Sequence, residues 1–326
     1  MRGKRKYRPL VTFAVIAYNQ EEFVREAVEG AFAQTYEPLE IILSDDCSSD
    51  CTSEVMECLS SSYTGPHKVI LRKGDKNLGI AEHINSIAKL ANGEVIVMAA
   101  GDDISDKSRT ERIIKEFASS AEVEAVFSGY ETVPAQCKRK KPSLSPEFST
   151  AEILSLGGGV DKGATYAYSR DCFFWPAPLP GWIISEDRIL PLRASLLGKI
   201  RYIDAPLVKY RVPIDEKSKK DKRDRPLWLH VEDHFHMMFS HLCAWRSENQ
   251  NRVISYYYFR AIVVWLEFAV RTNRRSGSRS ATGILFLPLR LLRKATSIIR
   301  SVRHNAIIAA VINKIRPRVS AARRES

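Results

Sequence analysis

LVTFAVIAYNQEEFVREAVEGAFAQTYEPLEIILSDDCSSD, residues 10–50, is the stretch whose reading decides the fold. LVTFAVIA (10–17) is a near-continuous apolar run of strand length, and NQEEFVREAVEGAFAQ (19–34) sets Phe23, Ala27, Val28 and Ala31 at helical spacing. Asn19 with Glu22 three residues on reads as a capping-box-like helix start. LEIILS (39–44) is a second strand. The alternation continues outward with a helix at 51–61, strand HKVILR (67–72), helix 79–92 closed by Gly93, strand EVIVMAA (94–100), helix 106–120 and strand VEAVFS (123–128). Strands alternating with helices predict an α/β domain whose mostly parallel sheet is flanked by helices. In such sheets ligands sit outside the carboxyl ends of the strands, at a switch point.

Three acidic clusters follow that pattern: Asp45-Asp46 closing LEIILSDD, Asp102-Asp103 closing GEVIVMAAGDD, and Glu186-Asp187 in GWIISEDRILPLRASLLG. Neighbouring carboxylates raise one another's pKa, so such pairs are costly unless something uses them. Each has a plain alternative. The first suits a turn and helix cap, the second compensation of a helix dipole, the third an ordinary helix start. Their joint occurrence in order, two of them at strand ends, points to one cleft. After the first strand stands AYNQEE rather than a glycine-rich GxGxxG turn, and no GxxxxGK[ST] occurs, which argues against nicotinamide and P-loop chemistry. An acidic cleft repels a bare diphosphate, so a nucleotide there needs a hard divalent cation, Mn2+ or Mg2+, between carboxylate and phosphate.

At these residues the chain resembles the inverting, GT-A-fold glycosyltransferases of the family-two type, over roughly residues 9–212. The resemblance implies that Asp46 hydrogen-bonds the base of a nucleotide-sugar donor, beside the backbone of Ala17, Tyr18 and Asn19, with the Asn77-Leu78-Gly79 stretch on the same side. It implies that Asp102 touches ribose or metal, that Asp103 ligates the metal, and that Asp187 is the general base with Glu186 on the acceptor side. The implied reaction is one in-line displacement by a hydroxyl of a glycan or lipid-linked acceptor, in cell-surface or exopolysaccharide synthesis. Many relatives read Asp-x-Asp-Asp where this chain has Ala100, so the division of labour between Asp102 and Asp103 stays open. A second reading is an inactive, glycosyltransferase-like interaction protein at a membrane surface, with Ala100 marking lost metal binding. The retention of Asp46, Asp102, Asp103 and Asp187 together favours the enzyme.

The net charge of +12 is not spread evenly. From Arg271 onward fourteen Lys and Arg face the single acid Glu325, which leaves the rest of the chain near neutral. In that tail Arg293, Ser297, Arg300 and His304 track one helical face and Leu291, Ala295, Ile298, Val302 and Ala306 another. A basic amphipathic helix of this kind reads as lying in an anionic membrane interface, residues 271–326 being the contact. Leu, Ile and Phe interleave the basic residues rather than Gly, Ser or stacking aromatics, which argues against nucleic acid. MRGKRKYR has no apolar signal-peptide core behind it, so the expected location is cytoplasmic, peripheral on the cytoplasmic face of a membrane. The six cysteines match no zinc spacing and read as reduced thiols. The expected organisation is a basic arm (1–8), a nucleotide-sugar half (9–103), an acceptor half (104–212), a charged linker (213–226) and a helical basic region (227–326).

Overall fold

The structure, a computed structural model, describes residues 8–133, 146–155, 161–181 and 183–212. Most of the basic arm, the charged linker and the whole basic C-terminal region therefore lie outside the described residues. In chain order the elements are β1 (Val11–Ala17), α1 (Val24–Phe32), β2 (Leu39–Asp45), α2 (Thr52–Ser62), β3 (Lys68–Lys73), α3 (Gly79–Leu90), β4 (Val95–Ala100), β5 (Ile104–Ser105), α4 (Arg109–Phe117) and β6 (Val123–Val133). They continue as β7 (Glu147–Phe148), α5 (Thr150–Ser155), β8 (Tyr166–Ser169), α6 (Asp171–Phe174), α7 (Glu186–Leu197) and β9 (Lys199–Arg211).

Among the described residues the strands form one sheet in the order β3-β2-β1-β4-β8-β6-β9-β5, with β7 added on β9. The β3-β2-β1-β4 half is parallel, as the alternation predicts. Beyond β4 the sheet departs from the expectation. The 123–128 strand does not join β4; β8 intervenes, antiparallel to both β4 and β6. The sheet also runs across residue 103, so the two halves read from the sequence share one set of strands.

The near-continuous apolar runs have a direct cause: β1 and β2 are covered on both faces, where alternate residues feed opposite cores. Val11, Phe13 and Val15 pack with Ile41 and Leu43 against Val24 and Val28 of α1 and Ile113 of α4. Ala14 and Ile42 face the other way, toward Ile84 and Ile87 of α3 and Ile189 of α7. Parallel register then aligns the strand ends that matter. Ala17 pairs with Asp45 and Ile16 with Ala100, so the turns carrying Asp46 and Asp102-Asp103 leave the sheet at one edge, on either side of β1. Gly101 makes that crossing possible, because a Cβ there would lie 2.7 Å from the Cβ of Ala17 and 2.3 Å from Oε1 of Gln20.

The expected helix start at Asn19 is corrected. Helix α1 begins at Val24, and Phe23, its N-cap, makes no side-chain cap. Asn19 instead adopts φ 52°, a region Asn tolerates better than most residues. Its carboxamide oxygen accepts the Ser49 N–H at 2.8 Å, while its own N–H donates to the Ser48 hydroxyl at 2.9 Å. Gln20 N–H donates to Thr52 Oγ1 at 2.7 Å, and Cys51 N–H to Glu21 Oε2 at 2.8 Å. The loops after β1 and β2 are thus laced together by side chains that a cap reading assigns to one helix. Helix α3 likewise ends at Leu90 rather than at Gly93, with Ala91 as an extended C-cap.

Candidate active site

A cavity of about 370 Å³ opens at the carboxyl ends of β1, β2 and β4, between the start of α3 and the start of α7. Of the residues read from the sequence, Ala17, Asp46, Asn77, Glu186 and Asp187 line it together. Asn19, Asp102 and Asp103 do not contribute to its wall.

Asp45 and Asp46 divide the two readings of their cluster between them. Asp45 is fully buried, and its carboxylate accepts the Ser48 N–H at 2.9 Å and the Ser48 hydroxyl. That is the turn reading, and it holds for Asp45. Asp46 is also buried, but its Oδ2 accepts the N–H groups of Leu78 and Gly79, each at 3.0 Å, at the head of α3. Gly79 can present its N–H there because it takes φ +74°, which glycine reaches without strain. Asn77 assists by accepting the same Gly79 N–H at 2.9 Å. Oδ1 of Asp46 is buried with no hydrogen-bond partner among the described residues, and Asp46 lines the cavity.

At the opposite end Glu186 and Asp187 open α7, consistent with the helix-start reading, and also face the cavity. A short 3-10 turn, Gly163–Thr165, lies against them: a Cβ on Gly163 would stand 3.0 Å from Oε1 of Glu186 and 3.3 Å from the Cβ of Asp187.

Asp103 sits beneath this surface. Its Oδ1 accepts the Arg211 N–H at 2.8 Å, and its Oδ2 is buried with no partner among the described residues. Burial, and after it the neighbouring Asp102, push its pKa up to about 7. Arg109 and Arg211 offset only part of that rise, and a divalent cation beside Asp102 and Asp103 would supply further positive charge. Two carboxylates, with water and phosphate oxygens completing the shell, suit Mg2+ or Mn2+, so the residues present fit the ion. Among the described residues no cluster of three or more His, Cys, Asp or Glu forms a complete protein cage.

Sequence reasoning missed three residues around the site, His83, Tyr168 and Arg109, and the side chain of a fourth, Tyr18, of which it named only the backbone. Tyr18 stands at the cavity rim, 46% exposed, a flat ring that the strand pattern does not mark. His83 lines the wall beside Asp46, buried, with Nε2 2.7 Å from Ser44 Oγ. Its signal was available: it is an imidazole on the apolar face of α3 between Ala81 and Ile84. Tyr168, on β8, forms part of the inner wall. Arg109 is fully buried and donates to Ser105 Oγ at 2.9 Å, Met98 O at 2.9 Å and Ala164 O at 2.7 Å, so it ties β4 to the 3-10 turn from below.

The mixed sheet with its ligand cleft at the β1 switch point is a GT-A-type α/β fold. Against solved structures the chain aligns with S. aureus TarS 1-349 in complex with UDP-GlcNAc at a TM-score of 0.57 and 17% identity, over 71% of this chain and 66% of that one. It aligns with the mannosyltransferase PcManGT from Pyrobaculum calidifontis, in complex with GDP-Man and Mn2+, at 0.53 and 17%, over 87% and 81%. An uncharacterized protein of Mycobacterium bovis is 32% identical over 202 residues, 60% of this chain and 57% of that protein. The family model "Glycosyl transferase family 2" matches residues 12–171, and glycosyltransferases stand among the relatives. Residues 12–171, just under half of the chain, carry that family's glycosyltransferase domain. It spans under two thirds of the length of the curated relatives it matches most strongly.

Proposed function

We propose that this protein is a metal-dependent, inverting glycosyltransferase that moves a sugar from a nucleoside-diphosphate donor to a hydroxyl of a glycan or lipid-linked acceptor. The observation that carries the reading is a cavity lined both by Asp46, whose Oδ1 has no partner among the described residues, and by Asp187. Asp46 Oδ1 would accept a ring N–H of the donor base, with Tyr18 and Asn77 beside it. Asp102 and Asp103 would hold the divalent ion, which when bound offsets charge growing on the departing diphosphate.

In this reading the acceptor hydroxyl attacks the anomeric carbon while Asp187 takes its proton. The bond from that carbon to the diphosphate oxygen breaks, and its electron pair leaves with the nucleoside diphosphate. One displacement inverts the anomeric configuration. Glu186 shapes the acceptor side. The presence of Mn2+ with GDP-Man on a neighbour of the same fold supports the metal. The confinement of positive charge to residues 271–326 supports a peripheral position on an anionic membrane surface, from which a lipid-linked or surface glycan would be reached.

The test is turnover and donor binding in the full chain and in Asp187→Asn. Loss of a general base should lower kcat about 10²-fold or more while leaving donor affinity within about twofold. Near-normal turnover by the variant would remove Asp187 from the role.

A further inference from the structure

Asn85 is 3% exposed on the apolar face of α3, between Ala81 and Ala88. A carboxamide buried there costs stability unless both of its ends are satisfied. One residue of another segment satisfies them: Oδ1 accepts the Leu179 N–H at 3.0 Å, and Nδ2 donates to the Leu179 carbonyl at 2.7 Å. A backbone held by its N–H and its C=O at once can neither slide along the helix nor rotate away from it. Leu179 is itself buried and packs in the core with Ile84 and Ile87. About one turn nearer the head of α3 the same segment passes close again, because a Cβ on Gly181 would lie 2.9 Å from Cγ of Glu82. The Ile183 N–H then closes a turn onto the Pro180 carbonyl at 3.0 Å, and Ser185 stands at the N-cap of α7.

We propose that Asn85 is a positioning residue for Asp187: its clamp on Leu179 fixes where α7 starts, and so where that carboxylate stands in the cavity. The inference rests on the reading of Asp187 as general base and adds the residue that holds it in place. Asp187 follows Leu179 by only eight residues, so a displacement of the clamped peptide is passed on with little chain to absorb it. Gly79 and Ile80, at the head of α3, line the same cavity as Asp187, and the Gly79 N–H is held by Asp46. Helix α3 is therefore a strut between the two ends of the site, tied to Asp46 at its head and to the segment feeding α7 at Asn85. From the other side Gly163 abuts the pair, with room for a Cβ only 3.3 Å from that of Asp187. An apolar side chain at position 85 would serve the surrounding core; the carboxamide adds a fixed position, the contribution of a fully satisfied buried polar contact. A base must stand within about 3 Å of the proton it takes, so loss of the clamp falls on rate before it falls on donor binding.

Asn85→Leu keeps the volume and removes both hydrogen bonds; Asn85→Ala removes them without added bulk and takes its place should Asn85→Leu not fold. The assay is release of nucleoside diphosphate by the full chain with Mn2+, from whichever of UDP-GlcNAc, GDP-mannose and dTDP-glucose wild type cleaves. Water stands in for the acceptor, and Asp187 takes its proton. Donor KM and calorimetric donor affinity should stay within about twofold of wild type while kcat falls about 10- to 100-fold, the scale of a misplacement of about 1 Å. The deciding measurement is the same substitution made in Asp187→Asn. A residue that works through Asp187 has little left to lose there, so the further loss should be under about twofold. An equal fold-loss in both backgrounds, a kcat within about twofold of wild type, or a fall in donor affinity matching the fall in kcat would each overturn the assignment. Asp187→Asn turning over at the wild-type rate would instead overturn the general-base reading.

Discussion

His83 gives the cavity a pH signature that can be worked through from its surroundings. It is 2% exposed, and its pKa is held down to about 4. Burial is the largest cause and outweighs the pull of Asp46 toward the charged form; Arg72 acts with burial and Asp45 with Asp46. In the unfolded chain the imidazole titrates near 6.5. Above pH 6.5 it is neutral in both states and costs nothing. As pH falls below 6.5 the unfolded chain takes up a proton that the folded protein refuses until about pH 4, so stability drops across that window. At about 1.36 kcal/mol per pKa unit, the loss reaches about 2 kcal/mol at pH 5 and about 3 kcal/mol once both states are protonated. His83→Gln abolishes the titration. Urea unfolding of both proteins at pH 7.5, 6.0 and 5.0, followed by circular dichroism, should show the stability difference shifting by about 2 kcal/mol in favour of the variant at the acid end. Parallel stability curves over that range would refute the burial of a neutral imidazole at this position.

Asp103→Asn should reduce donor affinity in Mn2+ to the level seen in excess chelator, whereas Asp50→Asn should keep the metal response and lose stability by about 1–2 kcal/mol, because Asp50 accepts N–H groups of Thr52 and Glu21. Calorimetry with and without chelator, beside thermal melts, separates the two. Arg109→Met removes the donor to four acceptors, Ser105 Oγ and the carbonyls of Met98, Ala164 and Tyr166, and a cation near Asp103, which should cost about 3–5 kcal/mol in urea unfolding; a loss under about 1 kcal/mol would show that the guanidinium is dispensable. Truncation after Asn273 should leave nucleotide binding intact and release the protein from anionic vesicles, and equal co-sedimentation of the two forms would place the contact elsewhere.

The parallel half of the fold was legible because its physics is local. β1, β2 and β4 are buried on both faces, so their residues read as apolar runs, and helices α1, α3 and α4 carry the complementary faces. The sheet beyond β4 obeys different rules. β8 is four residues long, with Tyr166 and Tyr168 on one face, and it enters the sheet antiparallel between strands already spoken for by the alternation. Nothing within YAYS states that partner, since the pairing is set by where β6 and β9 end up. β9 fails for a related reason: its register with β6 is broken near Ser128–Tyr130, and its apolar period is blurred accordingly.

The acidic clusters were legible as clusters but not as individuals. A sequence presents Asp45 and Asp46 as equals, while the fold turns one into the Ser48 turn and leaves the other with an oxygen that has no partner among the described residues, because successive side chains leave a strand end in opposite directions. The same argument applies to Asn19, Glu21 and Asp50. They stand within a few residues of the cleft and carry the right chemistry for ligands, yet their oxygens accept backbone N–H groups across the two loops. Removing any one of them would loosen the frame around Asp46. Proximity in sequence to a strand end therefore marks two populations here, residues that meet the cavity and residues that hold the cavity open. They are distinguished by whether a polar atom is already satisfied by the protein: Asp46 Oδ1 and Gln20 Oε1, on residues that line the cavity, have no partner among the described residues, whereas the oxygens of Asn19, Glu21 and Asp50 are taken.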